Sequence, residues 1–303
     1  MLMNREAVVF AATIIHACAL LIGMAAGQSR DENLARCDGS DSDLQIAGCT
    51  ALIQSGQGGT EFLAKTFRKR GNAYHAKGQY DSAIQDFDQA IHLNPNYADA
   101  YTNRGRDYYL KGQLDRSIQD FDQAIRLSPN SVDNAFAGRG LTYARLGQYD
   151  RAIQDFDRAI HLNANDPVAF AGRGGAYDGK GQFDSAIQDF DQAIRLNPND
   201  VDALVGRGRA YAQKNLYDHA IQDLDEAIRL NPKIYAMAFL IRGIAYAGKG
   251  QYVRAIQDYD EALRLNPNYA EAFYNRGIAK RHSGDVTGGN ADTARAKQLN
   301  PHL

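Results

Sequence analysis

The sequence predicts an all-α solenoid, an array of helical hairpins. Three observations point to it. One pattern recurs seven times: Gly-x-x-Tyr-x-x-x-Gly-x-Tyr-Asp-x-Ala-Ile-Gln-Asp-Phe-Asp-x-Ala-Ile-x-Leu-Asn-Pro. Its cleanest copy runs from Gly71 to Pro95, and others open at Gly105, Gly140, Gly174, Gly208, Gly243 and, in worn form, Gly277. These glycines stand 34 or 35 residues apart, a period typical of stacked repeats. Within each copy, apolar residues recur at helical spacing in two segments divided by a glycine. Proline closes most copies at one place, where it blocks helix continuation.

Composition sets the outer limits. The chain has 303 residues, 44% of them hydrophobic, which is ample for a core. Its net charge of -2 gives no global basic field to attract nucleic acid. Arg5 precedes an apolar run from Ala7 to Ala26, and Ala25-Ala26-Gly27 supplies the small residues of a cleavage site. Residues 1–27 therefore read as a secretory signal peptide, which predicts a periplasmic or secreted protein. The alternative is a membrane anchor through residues 7–26, since about 20 apolar residues span a bilayer. Two cysteines remain, Cys37 and Cys49, and in an exported chain they predict a disulfide.

Residues 28–63 form a segment of different composition. Asp38–Asp43 is turn-like, and Ile46, Cys49, Leu52 and Ile53 recur at helical spacing until Ser55–Gly59 interrupts. This predicts a single lid helix over the first repeat. The repeats follow at 64–97, 98–131, 133–166, 167–200, 201–234, 236–269 and 270–303, with Val132 and Tyr235 as extra residues. Counting from the first residue of each repeat, helix A carries an aromatic residue or Leu at position 4, Gly at 8 and mostly Tyr at 11. A glycine, or Asn215, stands at position 15, where a helix end needs a left-handed residue. Helix B opens near Asp81, Asp115, Asp150, Asp184 and Asp218, acids suited to a cap or to the helix dipole. Its core face is Ala83, Ile84, Phe87, Ala90 and Leu93 in the first copy.

Phe67, Gly71, Tyr74, Ala83, Phe87, Ala90 and Pro95, with their counterparts in register as far as residue 303, resemble the tetratricopeptide repeat. The resemblance implies a right-handed superhelix whose concave wall, lined by helix A, holds peptides or partner proteins. The seventh copy departs from the pattern at Lys280, Val286, Gly289 and Thr293. It reads as a degenerate terminal cap.

Arginine fills position 7 and aspartate position 23 in all seven copies, from Arg70 and Asp86 to Arg276 and Asp292. An Arg–Asp pair inside each repeat is expected, as a device that fixes helix geometry. Asp122, Asp191, Asp225 and Asp260 stand four residues before Arg126, Arg195, Arg229 and Arg264, a spacing that predicts solvated intrahelical pairs. Gly174–Gly181 and Gly243–Gly250 imitate a phosphate-binding loop but lack its Ser or Thr and its preceding strand. The scattered histidines show no metal-ligand spacing. The sequence therefore points to a non-catalytic protein without cofactor, metal, small-molecule substrate or nucleic-acid partner.

The resemblance places positions 2, 5, 6, 9, 12 and 13 on the concave wall, and their chemistry varies along the array. Arg68, Lys69, Asn72, His75, Asn103, Arg106 and Tyr109 make a basic, hydrogen-bonding end suited to an acidic or carboxylate-bearing segment. Ala137, Gly138, Ala171, Gly172, Gly175 and Gly179 predict a bare floor that admits bulk. Leu240, Ile241, Ile244, Tyr274 and Asn275 make an end that anchors apolar side chains. The expected function is a scaffold that binds peptide or partner-protein segments. The alternative is an envelope assembly factor acting through its convex face or by oligomerisation.

Overall fold

The computed structural model describes residues 29–231 and 236–303. The expected signal peptide, Pro232 and Tyr235 lie outside the described residues. The described residues form sixteen α-helices and no strand, in two units divided between Gly112 and Gln113. The first unit holds α1 (Arg30–Cys37), α2 (Ser42–Ser55), α3 (Thr60–Ala76), α4 (Tyr80–Leu93) and α5 (Ala98–Leu110). The second holds α6 (Leu114–Leu127), α7 (Asp133–Arg145), α8 (Tyr149–Leu162), α9 (Pro167–Gly179), α10 (Phe183–Leu196) and α11 (Val201–Gln213). It continues through α12 (Tyr217–Leu230), α13 (Ala236–Gly248), α14 (Tyr252–Leu265), α15 (Ala270–His282) and α16 (Val286–Leu299).

The repeat register holds to the residue at most helix ends. Position 15 is left-handed in every copy, and the one non-glycine there, Asn215, sits at φ 59°. The N–H at position 16 reaches back to the carbonyl at position 11, as from Gln148 to Tyr143 at 2.9 Å, which closes helix A with a Schellman turn. Helix B ends at position 30, just before the proline. The expected cap at position 18 is not formed. Helix B starts one residue earlier, with Gln79 or its equivalent as N-cap and, except at Asp285 of the last copy, no side-chain cap bond, so Asp81 lies within the first turn.

Residues 28–63 hold two helices rather than the single one expected. α1 is short and polar, so it carries no apolar period; its signal is a capping box, with Ser29 and Glu32 bonding each other's backbone at 3.1 and 3.2 Å. A disulfide joins Cys37 to Cys49, as expected, and both cysteines are fully buried. The hairpin then behaves as a repeat of its own. Asp43 pairs with Lys77, as position 18 pairs with the next repeat's position 14 in Asp150–Lys180 at 2.5 Å. Counted from Asp43, Cys49 falls at position 24, where the repeats carry the core phenylalanine. The disulfide stands in for that ring.

In the repeats, the position-24 ring is clasped from two sides. A methyl group on Gly140 would stand 3.0 Å from Phe156, and one on Gly172, at position 6 of the following repeat, would collide with the same ring. Phe190 is held likewise between Gly174 and Gly206. The glycines at position 6 therefore admit the preceding repeat's ring, not a ligand, which corrects the expectation of a roomy floor at Gly138 and Gly172. Gly179 is closed in the same way by Tyr149, and Ala137 is buried.

The arginines at position 7 join hairpins rather than single helices. Arg70, Arg139, Arg173, Arg207, Arg242 and Arg276 each clasp the position-23 aspartate of their own repeat, as expected; Arg173 does so through Nε and Nη2 at 2.7 Å. The remaining Nη1 reaches the position-25 aspartate of the preceding repeat, as in Arg104–Asp88, Arg173–Asp157 and Arg276–Asp260 at 2.5–2.6 Å. Asp122, Asp191, Asp225 and Asp260 are thus inter-repeat ligands, which corrects the intrahelical pairing expected from their spacing. Arg126 and Arg229 turn instead to Gln123 and Glu226. Burial pushes the carboxyls of Asp86, Asp155 and Asp258 up despite their arginines.

The last hairpin closes differently. Without a ring at position 24, α15 and α16 meet backbone to backbone. A methyl group on Gly277 would stand 2.8 Å from the carbonyl oxygen of Gly289. Lys280, in the tyrosine's place, reaches Asp292 at 2.9 Å.

Candidate partner-binding wall

In the first unit, α3 and α5 present the basic end. Arg68 and Asn72 lie one turn apart on α3, and Asn103 and Arg106 one turn apart on α5, so each pair shares a face. Asn103 donates to Asn72 at 2.8 Å, which brings the two helices' polar faces into one strip. Arg68 donates through Nε to the Tyr97 hydroxyl at 2.6 Å and lies over that ring. The other named residues are already engaged. Lys69 pairs with Asp38 of the lid, and His75 meets Asp107, which is fully buried where most copies carry alanine. Tyr109 is half-buried on the same helix as Asn103. Among the described residues, the two cations of α3 and α5 without a carboxylate in ion-pair range are Arg68 and Arg106, the latter exposed.

In the second unit the apolar end is smaller than expected. Leu240 and Ile241 are buried at 7% and 5% exposure in the cores on either side of α13, so they are packing residues, not a free wall. Ile244 is exposed on α13. Tyr274 is half-buried, and Asn275 donates to the Glu271 carbonyl of its own helix at 2.8 Å. Of the floor glycines, Gly175 alone has open space where a side chain would start. The two segments resembling a phosphate loop run through α9 and α13 as far as Gly179 and Gly248, so most of their backbone N–H groups are bound within helices.

Family models described as TPR repeat match residues 71–106 and 243–280, and models described as tetratricopeptide repeat match 98–131, 134–166 and 172–233, together more than half of the chain. The chain belongs to the tetratricopeptide-repeat family. Solved TPR structures share its fold. One is a chain of the APC/C hetero-tetramer Cut9-Hcn1, with TM-score 0.67 and 21% identity over 81% of this chain; this chain spans 50% of that one. Another is a tetratricopeptide repeat protein from Parabacteroides merdae ATCC 43184, with TM-score 0.58 and 20% identity, covering 78% of this chain and 93% of that one. A third is YrrB, described as a TPR protein with an unusual peptide-binding site, with TM-score 0.50 and 25% identity over 61% of this chain and 95% of its own. No curated protein matches.

One charged pair on the TPR wall lies outside the expectations drawn from the sequence. Asp178 on α9 and Arg209 on α11, at positions 12 and 9 of adjacent repeats, meet at 2.5 Å. Burial pushes the Asp178 carboxyl up, offset in part by Arg209. Each residue type occurs once at its place in unit 2, so repetition gave no signal. Opposite charges at positions 12 and 9 of consecutive TPR repeats are the cue that finds them.

Proposed function

We infer that this TPR protein is a non-catalytic scaffold that binds an extended peptide or partner-protein segment along its helix-A wall. The observation that carries the reading is the contrast between helix faces in the first unit. Most cations there are committed to carboxylates, whereas Arg68 and Arg106 flank the Asn72–Asn103 pair with none among the described residues. Such a strip suits an acidic or carboxylate-bearing segment, whose oxygens accept from guanidinium and amide donors together. In the second unit Ile244 offers an apolar contact. The peptide-binding description of YrrB is consistent with this use of the fold. Export is part of the reading, supported by the apolar run at residues 7–26 and by the Cys37–Cys49 bond, which an oxidising compartment preserves.

A photo-crosslinking residue placed at Arg106 or Ile244, in the native compartment, should yield protein adducts, and one at exposed Arg264 on α14 should not. Adducts from Arg264 alone would sink the reading and favour a helix-B face as the working surface.

A further inference from the structure

Asp178 and Arg209 differ from the neighbouring position-7 clasp in being half satisfied. Arg207, two residues away on the same α11, uses Nε, Nη1 and Nη2 on Asp223 and Asp191. Arg209 reaches Asp178 through Nη2; among the described residues, Arg209 Nε and Asp178 Oδ1 are cut off from solvent and have no hydrogen-bond partner. The Asp178 side chain is 8% exposed, whereas that of Arg209 is 40% exposed, so the pair has one buried and one solvent-facing member. One turn before Asp178 on the same face of α9 is Gly175, where the floor is open.

We propose that Asp178 and Arg209 read a side-chain carboxamide, glutamine or asparagine, on a segment lying over Gly175. The amide nitrogen donates to Asp178 Oδ1 and the amide oxygen accepts from the Arg209 guanidinium. The inference rests on the groove reading above. A carboxamide carries donor and acceptor on one side of one planar group, whereas a backbone peptide unit points them in opposite directions. A carboxylate would meet Asp178, an ammonium group would meet Arg209, and an alkyl side chain would leave both buried groups unpaired. A site built to hydrogen-bond its ligand discriminates strongly against a ligand that cannot.

Random linear peptides displayed on phage, selected on the full chain, test this. The expected result is a binder family with Gln or Asn fixed at one position. Its replacement by Glu, Lys or Leu should weaken binding by roughly tenfold or more. On Asp178→Ala and Arg209→Met, whose folding is checked by thermal unfolding, that preference should vanish while residual binding persists. Binders with no fixed amide, as a pair bridged only by water would give, overturn the proposal without touching the groove reading. So does a fixed amide indifferent to both variants. If no peptide is selected at all, the groove reading fails and takes this proposal with it.

Discussion

Ile241 stands at position 6, where three earlier repeats have glycine, and Leu224 stands at the preceding position 24, where most repeats have an aromatic ring; both are buried in one core. The smaller side chain on one hairpin matches the larger one on the next. The relationship predicts a compensating pair. Leu224→Phe alone overpacks the core and should destabilise by about 1–3 kcal/mol. Adding Ile241→Gly should return most of that loss. A thermal unfolding series on the two single variants and the double decides it, and strictly additive losses would break the link.

The two contacts of each arginine should be unequal. Arg173→Met leaves the buried Asp189 unpaired and should cost about 3–5 kcal/mol. Asp157→Asn removes only the contact to a half-exposed carboxylate and should cost less than about 1 kcal/mol. Denaturant midpoints measure both. Equal losses would show that the inter-repeat bond matters as much as the inner clasp.

Acid should loosen the last hairpin first. Burial opposes ionisation of Asp292, but Arg276 and Lys280 together hold its carboxyl below the usual aspartate value. A depressed folded value stabilises above the unfolded value of roughly 4 and is lost as pH falls through the folded one. Asp86, Asp155 and Asp258, raised by burial, have the opposite sign: folding gains as pH drops through their window. A hydrogen-exchange series in acid should therefore show protection falling in α15 and α16 while α7 and α8 keep theirs. Lys280→Tyr should reduce that difference; identical loss of protection in both hairpins would refute the account.

The disulfide should act on the lid alone. Replacing Cys37 and Cys49 by Ala removes a closed loop worth about 3 kcal/mol on the chain-entropy model. Hydrogen exchange should speed up in residues 30–55 and stay unchanged in 167–200. Faster exchange throughout would mean that the lid supports more than its neighbour.

The array was legible because its signal is local and repeated: period, helix ends, the left-handed position 15 and the Arg–Asp clasp all lie within 34 residues. What was misread lies across repeat boundaries. Gly138 and Gly172 looked like empty floor because the ring that fills them belongs to the previous hairpin. Asp122 and Asp191 looked like partners of Arg126 and Arg195 because four residues is the shortest helical route, while the nearer cation in space is one hairpin away. Family position puts Leu240 and Ile241 on the wall, but an isoleucine beside Leu224 packs inward. α1 escaped notice because eight polar residues carry no period. Asp178 and Arg209 give no such signal because neither residue type recurs at its position in the second unit.

The clasp of each ring by glycines on two hairpins governs which blocks of the chain are interchangeable. Excising 167–200 would bring Phe156 against Gly206, Asp157 against Arg207 and Asp150 against Lys214, all matched. Excising 201–234 would instead drive Phe190 into Ile241. Duplication or loss of a whole cassette is thus tolerated at some seams and forbidden at others, and the seam between the fifth and sixth hairpins fixes their order as a couple.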